Sequence, residues 1–227
     1  MEKVVVSIGG SVLIPDNNDS EYIKRLAGVL KDISKSVSLV IVCGGGKIAR
    51  YYTNTGRNVG GTTYQLDMLG IGATRLNAEL LRVALSDAAS DNVPTHVEDA
   101  AKTFGNGKIT VMGGTVPGHT TDAVAAMVAG KIGSKRIVNA TSVDAVYSDD
   151  PKKDPNAKRF TKLTIKELSK IVYEEHDAGR SSVFDPLGVK LAMRDRIDIM
   201  IVDGRDLDDL KNAILGKKIK GTVVNSQ

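Results

Sequence analysis

The chain has 227 residues, enough for one large α/β domain or two small ones with a substantial core. Hydrophobic residues at 41% and charged residues at 26% describe a water-soluble globular protein, and the sequence carries neither a recognisable signal segment nor an apolar run of membrane-spanning length. The net charge of +4 sits wholly in residues 131–227, with 19 basic and 15 acidic side chains against 12 and 12 in residues 1–130; so small and interspersed a surplus, with 4% aromatic residues, argues against a nucleic-acid partner.

In chain order, Val4-Val5-Val6-Ser7-Ile8 is a β-branched run ending at Gly9-Gly10-Ser11, the pattern of a buried parallel strand leading into a glycine turn. A polar loop around Pro15 to Asn18 follows. Asp19 or Ser20 then caps a helix whose Ile23, Leu26, Leu30 and Ile33 keep helical spacing. Leu39-Val40-Ile41-Val42-Cys43 is a second buried strand, ending at Gly44-Gly45-Gly46-Lys47. Cys43, the single cysteine, allows no intrachain disulfide and fits a reducing, cytoplasmic setting; closing an apolar run, it reads as a core thiol rather than a nucleophile.

Residues 54–63 are rich in glycine and threonine and read as loop, after which Leu66, Leu69, Ala73, Leu76, Leu80, Leu81 and Ala84 mark a long amphipathic helix. Residues 95–97 and 109–112 are strand candidates, the latter ending at Gly113-Gly114. The next stretch combines that strand end, a short loop and Thr120-Thr121-Asp122 ahead of the alanine-rich residues 123–129. Glycines permit close approach of a ligand, small hydroxyl residues cap the helix, and the helix start offers free N–H groups, which together suit an anion. Residues 136–140 form a further strand, Thr164-Ile165-Lys166-Glu167 is a capping box opening a helix to about Val172, and Asp185-Pro186 starts a helix through Met193. Residues 197–202 read as the last parallel-type strand, before Asp206 caps a helix over 207–215.

Alternation of strands and helices implies a mostly parallel sheet covered on both faces, with ligands collecting at the carboxyl ends of the strands. Three strands end there in double or triple glycines. No Gly-Lys is followed by Ser or Thr, so P-loop chemistry is excluded. Gly44-Gly45-Gly46-Lys47-Ile48-Ala49 has the spacing of a dinucleotide turn and Asp67 stands near the expected ribose acid, but no strand separates them, which disfavours a dehydrogenase. Several glycine turns around one row of phosphates suit phosphoryl transfer, which depends on in-line positioning and charge neutralisation. Lys47 and Arg50, three residues apart at a helix start, oppose the helix dipole unless an anion lies between them.

Ile8-Gly9-Gly10-Ser11, Gly44-Gly45-Gly46-Lys47-x-Ala49-Arg50, Gly113-Gly114-Thr115 with Pro117-Gly118-His119-Thr120-Thr121-Asp122, and Thr141 through Val143-Asp144-x-Val146-Tyr147 to Asp150-Pro151-Lys152-Lys153-Asp154-Pro155 occur in that order. Over essentially its whole length the chain resembles the amino acid kinase superfamily, and within it the uridylate (UMP) kinases of archaeal type. The resemblance implies a three-layer sandwich with a largely parallel eight-stranded sheet, and transfer of the γ-phosphoryl of ATP to UMP with Mg²⁺ that enters on ATP, without direct protein ligands. It implies a single domain with an acceptor lobe over about residues 1–130 and an ATP lobe over about 131–227. Gly9, Gly10, Gly46 and Arg50 would meet the ATP phosphates, and Thr141, Tyr147 and Asp150 would frame the adenosine. Gly45, Asp67 and the loop Thr115, Val116, Pro117, Gly118, His119, Thr120 and Thr121 would hold UMP, with Asp67 on the ribose hydroxyls. Lys47, Arg50, Asp122 and Lys190 would carry the catalytic roles, Asp122 by orienting the cations and Lys190 by steadying the transferring phosphoryl.

One departure stands out: many relatives carry a lysine where this chain has Ser7, so the transition-state cation has to come from Mg²⁺, Lys47, Arg50 or Lys190. The resemblance further implies a homo-oligomer, a hexamer, built on the long helices, with UTP as a feedback inhibitor and no membrane partner. Two other functions compete: a superfamily kinase acting on carbamate, acetylglutamate or isopentenyl phosphate, and a non-catalytic nucleotide-binding protein on the same fold.

Overall fold

Runs of β-branched Val and Ile suit strands buried on both faces, and that is how the sheet is built. The computed structural model describes residues 1–15, 19–151, 153–177 and 183–226. Asp16 to Asn18 of the expected polar loop, and Lys152 of the motif after Tyr147, lie outside the described residues. In chain order the elements are β1 (Glu2–Ile8), α1 (Gly10–Leu13), α2 (Asp19–Ser34), β2 (Val37–Cys43), α3 (Gly46–Asn58), α4 (Thr63–Leu85), α5 (Val97–Thr103), β3 (Thr110–Met112) and α6 (Thr121–Ile132). There follow β4 (Arg136–Thr141), β5 (Val146–Tyr147), β6 (Arg159–Phe160), β7 (Lys162–Thr164), α7 (Ile165–Asp177), α8 (Pro186–Asp195), β8 (Asp198–Asp203), α9 (Leu207–Ile214) and β9 (Thr222–Asn225).

The main sheet runs β3-β2-β1-β4-β8-β9-β7. From β3 to β8 every pairing is parallel; β9 then pairs antiparallel with β8 and parallel with β7. The α/β sandwich expected from the sequence is present, but the main sheet has seven strands rather than the expected eight among the described residues, because β5 and β6 pair with each other as a separate ribbon. The chain order reverses across β1, between β2 and β4. An open parallel sheet binds its ligand at such a switch point, outside the carboxyl ends of the strands.

Two apolar layers fix the sheet. On one face Val4, Val6, Ile8, Leu39 and Ile41 pack against Leu26 and Leu30 of α2, Leu81 and Leu85 of α4 and Leu210 of α9. On the other, Val5, Val40, Val42, Ile137 and Ile199 meet the small residues Ala125, Ala126 and Ala129 of α6, Leu168 of α7 and Val189 of α8. Alanines at those positions let α6 lie close over the middle of the sheet, bringing its N-terminus to the ends of β1 and β4.

Three expectations are corrected. Residues 95–97 are not a strand: Val97 opens α5, because the acidic Glu98 and Asp99 favour a first helical turn. Residues 54–63 are not all loop, since α3 runs to Asn58 despite its glycine and threonines. The strand over 198–203 is not the last; β9 follows it, four residues too short to show a period. The Thr164 capping box is present, with Glu167 N–H donating to Thr164 Oγ1 and Thr164 N–H to Glu167 Oε2, and α7 extends past Val172 to Asp177.

Candidate functional site

The glycine turns after β1 and β2 interlock at the switch point. A Cβ on Gly10 would fall on Gly46 N and stand 2.5 Å from Gly45 C and 2.6 Å from Gly44 O, all main chain. Gly46 adopts φ +58°, which a side chain would strain. Gly9 N–H donates to Ala140 O at 2.9 Å and Gly44 N–H to Ile8 O at 2.8 Å, so strand-type bonding continues into the turns and holds them flush. Gly9, Gly10 and Gly46 thus form one bare backbone surface at the ends of β1, β2 and β4. Thr141, closing β4, lies beside Gly9.

The second glycine pair, Gly113-Gly114, packs on α4 instead: Gly114 N–H donates to Thr74 Oγ1 at 2.7 Å. Between this loop and helices α3 and α4 opens a cavity of about 390 Å³, within the range of small-ligand pockets. Gly45, Asp67, Val116, Pro117, Gly118, His119, Thr120 and Thr121 all line it. Thr115 is buried and lines a neighbouring cavity rather than this one. Asp67 is not a helix cap, since Thr62 and Gln65 form the capping box of α4; its Oδ2 accepts the Gly118 N–H at 3.0 Å and steadies the loop across the cavity. Thr120 caps α6 through the Ala123 N–H at 3.2 Å, turning the helix start toward the same space. His119 borders this cavity and a neighbouring one of about 620 Å³ between α5, α6 and α8, and its Nδ1 is enclosed without a partner among the described residues.

Asp122, in the first turn of α6 and outside the lining of either cavity, is a perturbed acid. Its Oδ1 accepts from Ser7 Oγ at 2.8 Å, and the Asp185 backbone N–H also donates to it. Although the residue keeps partial solvent access, burial of the carboxyl pushes it up to about 6; the Ser7 bond pulls it down, while the nearby Asp185 charge raises it. Ser7 is 1% exposed and its hydroxyl is committed to Asp122. The serine in the position of the family lysine therefore stands beneath the site, holding an acid, rather than in it. Burial likewise pushes the Cys43 thiol up to about 12, as suits a core thiol.

The remaining predicted residues are more dispersed. Lys47 reaches back to Pro15 O at 2.9 Å, and Arg50 and Lys190 are exposed on α3 and α8. Among the described residues no hydrogen bond joins Lys47, Arg50, Asp122 or Lys190 to one another. Tyr147 donates to Asp144 Oδ1 at 3.1 Å on the β5-β6 ribbon, where Arg159 Nε also bonds Asp144. Asp150 accepts Lys153 and Asp154 N–H groups at its carbonyl. Among the described residues no hydrogen bond joins Tyr147 or Asp150 to the glycine turns.

Sequence reasoning found Asp67 on α4 but missed Thr74, Arg75 and Asn77. Asn77 Nδ2 donates to Gly44 O at 2.8 Å, and Arg75 donates to Gly114 O and Thr115 O, so one helix holds both glycine turns. Their signal was present: Thr74 and Asn77 interrupt the buried stripe of a helix that is otherwise apolar on that side.

A model of the amino acid kinase family matches residues 2–203. The chain belongs to the amino acid kinase family. Within that family it is 44% identical over 218 residues to a uridylate kinase of Methanococcoides burtonii, covering 96% of this chain and 93% of the relative. It is 43% identical to that of Pyrococcus abyssi, covering 98% and 99%. The solved uridylate kinase of Archaeoglobus fulgidus superposes with a TM-score of 0.87 at 38% identity, over 99% of this chain and all of that one. The UMP kinase of Bacillus anthracis, at 22% identity and TM-score 0.79, shares the fold of this amino acid kinase.

Proposed function

We propose that the chain transfers the γ-phosphoryl group of ATP to UMP, giving UDP and ADP for pyrimidine nucleotide synthesis. The observation that carries this reading is the 390 Å³ cavity, whose lining contains seven of the eight loop and glycine positions that the resemblance assigns to UMP, together with Asp67. Uridylate kinases align with the chain from end to end, and no feature of the site favours carbamate, acetylglutamate or an isopentenyl phosphate as acceptor, or a non-catalytic role.

In this reading UMP lies between Asp67 and the 115–121 loop. The ATP phosphates pass over Gly9, Gly10 and Gly46, with Thr141, Tyr147 and Asp150 toward the adenosine. The acceptor lobe is about residues 1–130 and the donor lobe about 131–227. The UMP phosphate is already anionic and needs no general base, so the protein's work is alignment and neutralisation. Mg²⁺ bound with ATP supplies charge neutralisation on the triphosphate. The residues present fit it, since Mg²⁺ is commonly held by one or two carboxylates plus phosphates and Asp122 supplies a carboxylate. Asp122, fixed by Ser7 and Asp185, is the carboxylate that would face it. Lys47, Arg50 and Lys190, on side chains long enough to swing inward, supply the cations that Ser7 does not.

The exposed apolar residues of α3 and α4, among them Tyr51, Tyr64, Met68, Leu76, Leu80 and Val83, support a homo-oligomer, which we take to be a hexamer. No helix among the described residues is long and apolar enough to cross a membrane, and we place the enzyme in the cytoplasm, subject to feedback by UTP. A coupled assay for ADP across UMP, CMP, carbamate and N-acetylglutamate, with and without a chelator, tests the assignment. Turnover with UMP that the chelator abolishes is expected; silence with UMP alongside turnover of another acceptor would refute it.

A further inference from the structure

The acceptor cavity leans on an arginine that does not line it. Arg75 is half-buried on α4, and its guanidinium donates to backbone carbonyls only: Nε to Gly114 O at 3.0 Å, Nη2 to Thr115 O at 2.8 Å and, more weakly, Nη2 to Thr95 O at 3.4 Å. Among the described residues no carboxylate pairs with it. A rigid fork of donors on two consecutive carbonyls fixes the planes of both peptides, which a point charge could not do.

The consequence follows from peptide geometry. In a trans peptide the carbonyl and the next residue's N–H point in opposite directions, and the chain has no cis bond among the described residues. With Gly114 O and Thr115 O drawn onto Arg75, the N–H groups of Thr115 and Val116 are turned away from it. Neither finds an acceptor among the described residues. The preceding N–H, of Gly114, is fixed by Thr74 Oγ1, whose own hydroxyl donates to Ile71 O at 2.6 Å, so the segment is pinned on both sides. Gly114 and Val116 line the cavity.

We propose that Arg75 is a positioning residue for the acceptor: by holding the Gly114 and Thr115 carbonyls against α4, it presents the Thr115 and Val116 N–H groups as a pair of donors for oxygen atoms of a pyrimidine nucleotide. This rests on the reading of the cavity as the UMP site. Arg75 acts through the loop and touches neither substrate.

The test compares wild-type protein with Arg75→Lys and Arg75→Met for kcat, KM of UMP, KM of ATP, and thermal midpoint with and without UMP. Arg75→Met is expected to raise KM for UMP about tenfold or more, the scale of one charge-assisted hydrogen bond, with KM for ATP changed less than twofold. Arg75→Lys falls between, and the rise in midpoint on adding UMP shrinks in the same order. Equal rises in both KM values, or an unchanged KM for UMP, overturn the proposal. Should the variants fail to fold, amide hydrogen exchange on the wild-type chain decides: UMP must slow exchange at Thr115 and Val116, and protection elsewhere in the cavity without protection there overturns the proposal. A wild-type protein that neither binds nor phosphorylates UMP overturns the functional reading and this proposal with it, whereas an active enzyme indifferent to Arg75 overturns this proposal alone.

Discussion

At the scale of single residues the proposed site includes two acids in different surroundings. Asp122 is held near 6 when folded against a reference value of 3.8, so between those values the folded chain binds more protons than the unfolded one. Stability from this group is therefore fully present below about pH 4, is lost as pH rises through 6, and stays lost at neutrality. Asp122→Asn, which keeps an acceptor for Ser7, is expected to gain about 1–3 kcal/mol at pH 7 and almost nothing at pH 4, while losing turnover. Urea unfolding at the two pH values measures the difference; an equal gain at both would mean that the carboxyl is not desolvated. Asp67 contributes by contact, its carboxylate accepting the Gly118 N–H across the cavity. Asp67→Asn is expected to raise KM for UMP about fivefold to tenfold, one charge-assisted bond's worth, and KM for ATP by less than twofold. Steady-state kinetics with each substrate varied in turn would reveal whether both rise together, which would remove Asp67 from the acceptor site.

At the scale of elements, what was legible in the sequence is what local chemistry enforces. The β-branched runs of β1 and β2, the Thr120, Asp185 and Asp206 caps and the three glycine turns are written in short stretches, and each element formed where expected. What a local reading could not reach depends on partners far along the chain: β9 exists because β8 and β7 are there to bond it, and Arg75 and Asn77 matter because of loops more than thirty residues away. Around the cavity the same holds: the glycine turns could be read from residue types, whereas the Ser7–Asp122 bond across 115 residues could not be read at all. The interlocked turns give a paired test of how much the meaning of a glycine depends on its surroundings. Gly10→Ala drives a methyl into Gly46 and Gly45 main chain and is expected to cost about 2 kcal/mol or more, with loss of ATP binding. Gly28→Ala, in the middle of α2 with nothing within 4 Å of the added carbon, is expected to stabilise by about 0.5–1 kcal/mol. Denaturant midpoints of the two variants should move in opposite directions; a shift of the same sign would contradict the packing described for the turns.

At the scale of the whole molecule, α4 has two faces with two tasks. Its inner side holds both glycine turns through Thr74, Arg75 and Asn77, while its outer side exposes Tyr64, Met68, Leu76, Leu80 and Val83, with Leu76 64% and Val83 67% exposed. Beside it, an apolar groove of about 660 Å³ runs between α3 and α4, bordered by Val59, Tyr64, Leu66 and Met68. A helix that wears large apolar side chains outward in water is incomplete alone, and a second copy of the chain set against it would satisfy both helices at once. Because the same helix holds the loop of the 390 Å³ cavity, covering its outer face would also limit the motion of its inner one. The double variant Leu76→Asp with Val83→Asp is accordingly expected to sediment at a lower mass than wild type, keep its far-ultraviolet circular dichroism, and lose affinity for UMP by a larger factor than for ATP. A wild type already monomeric at micromolar concentration, or a variant of unchanged mass, would show that the outer face of α4 is not an interface, and unaltered UMP affinity in a dissociated variant would show that it braces nothing.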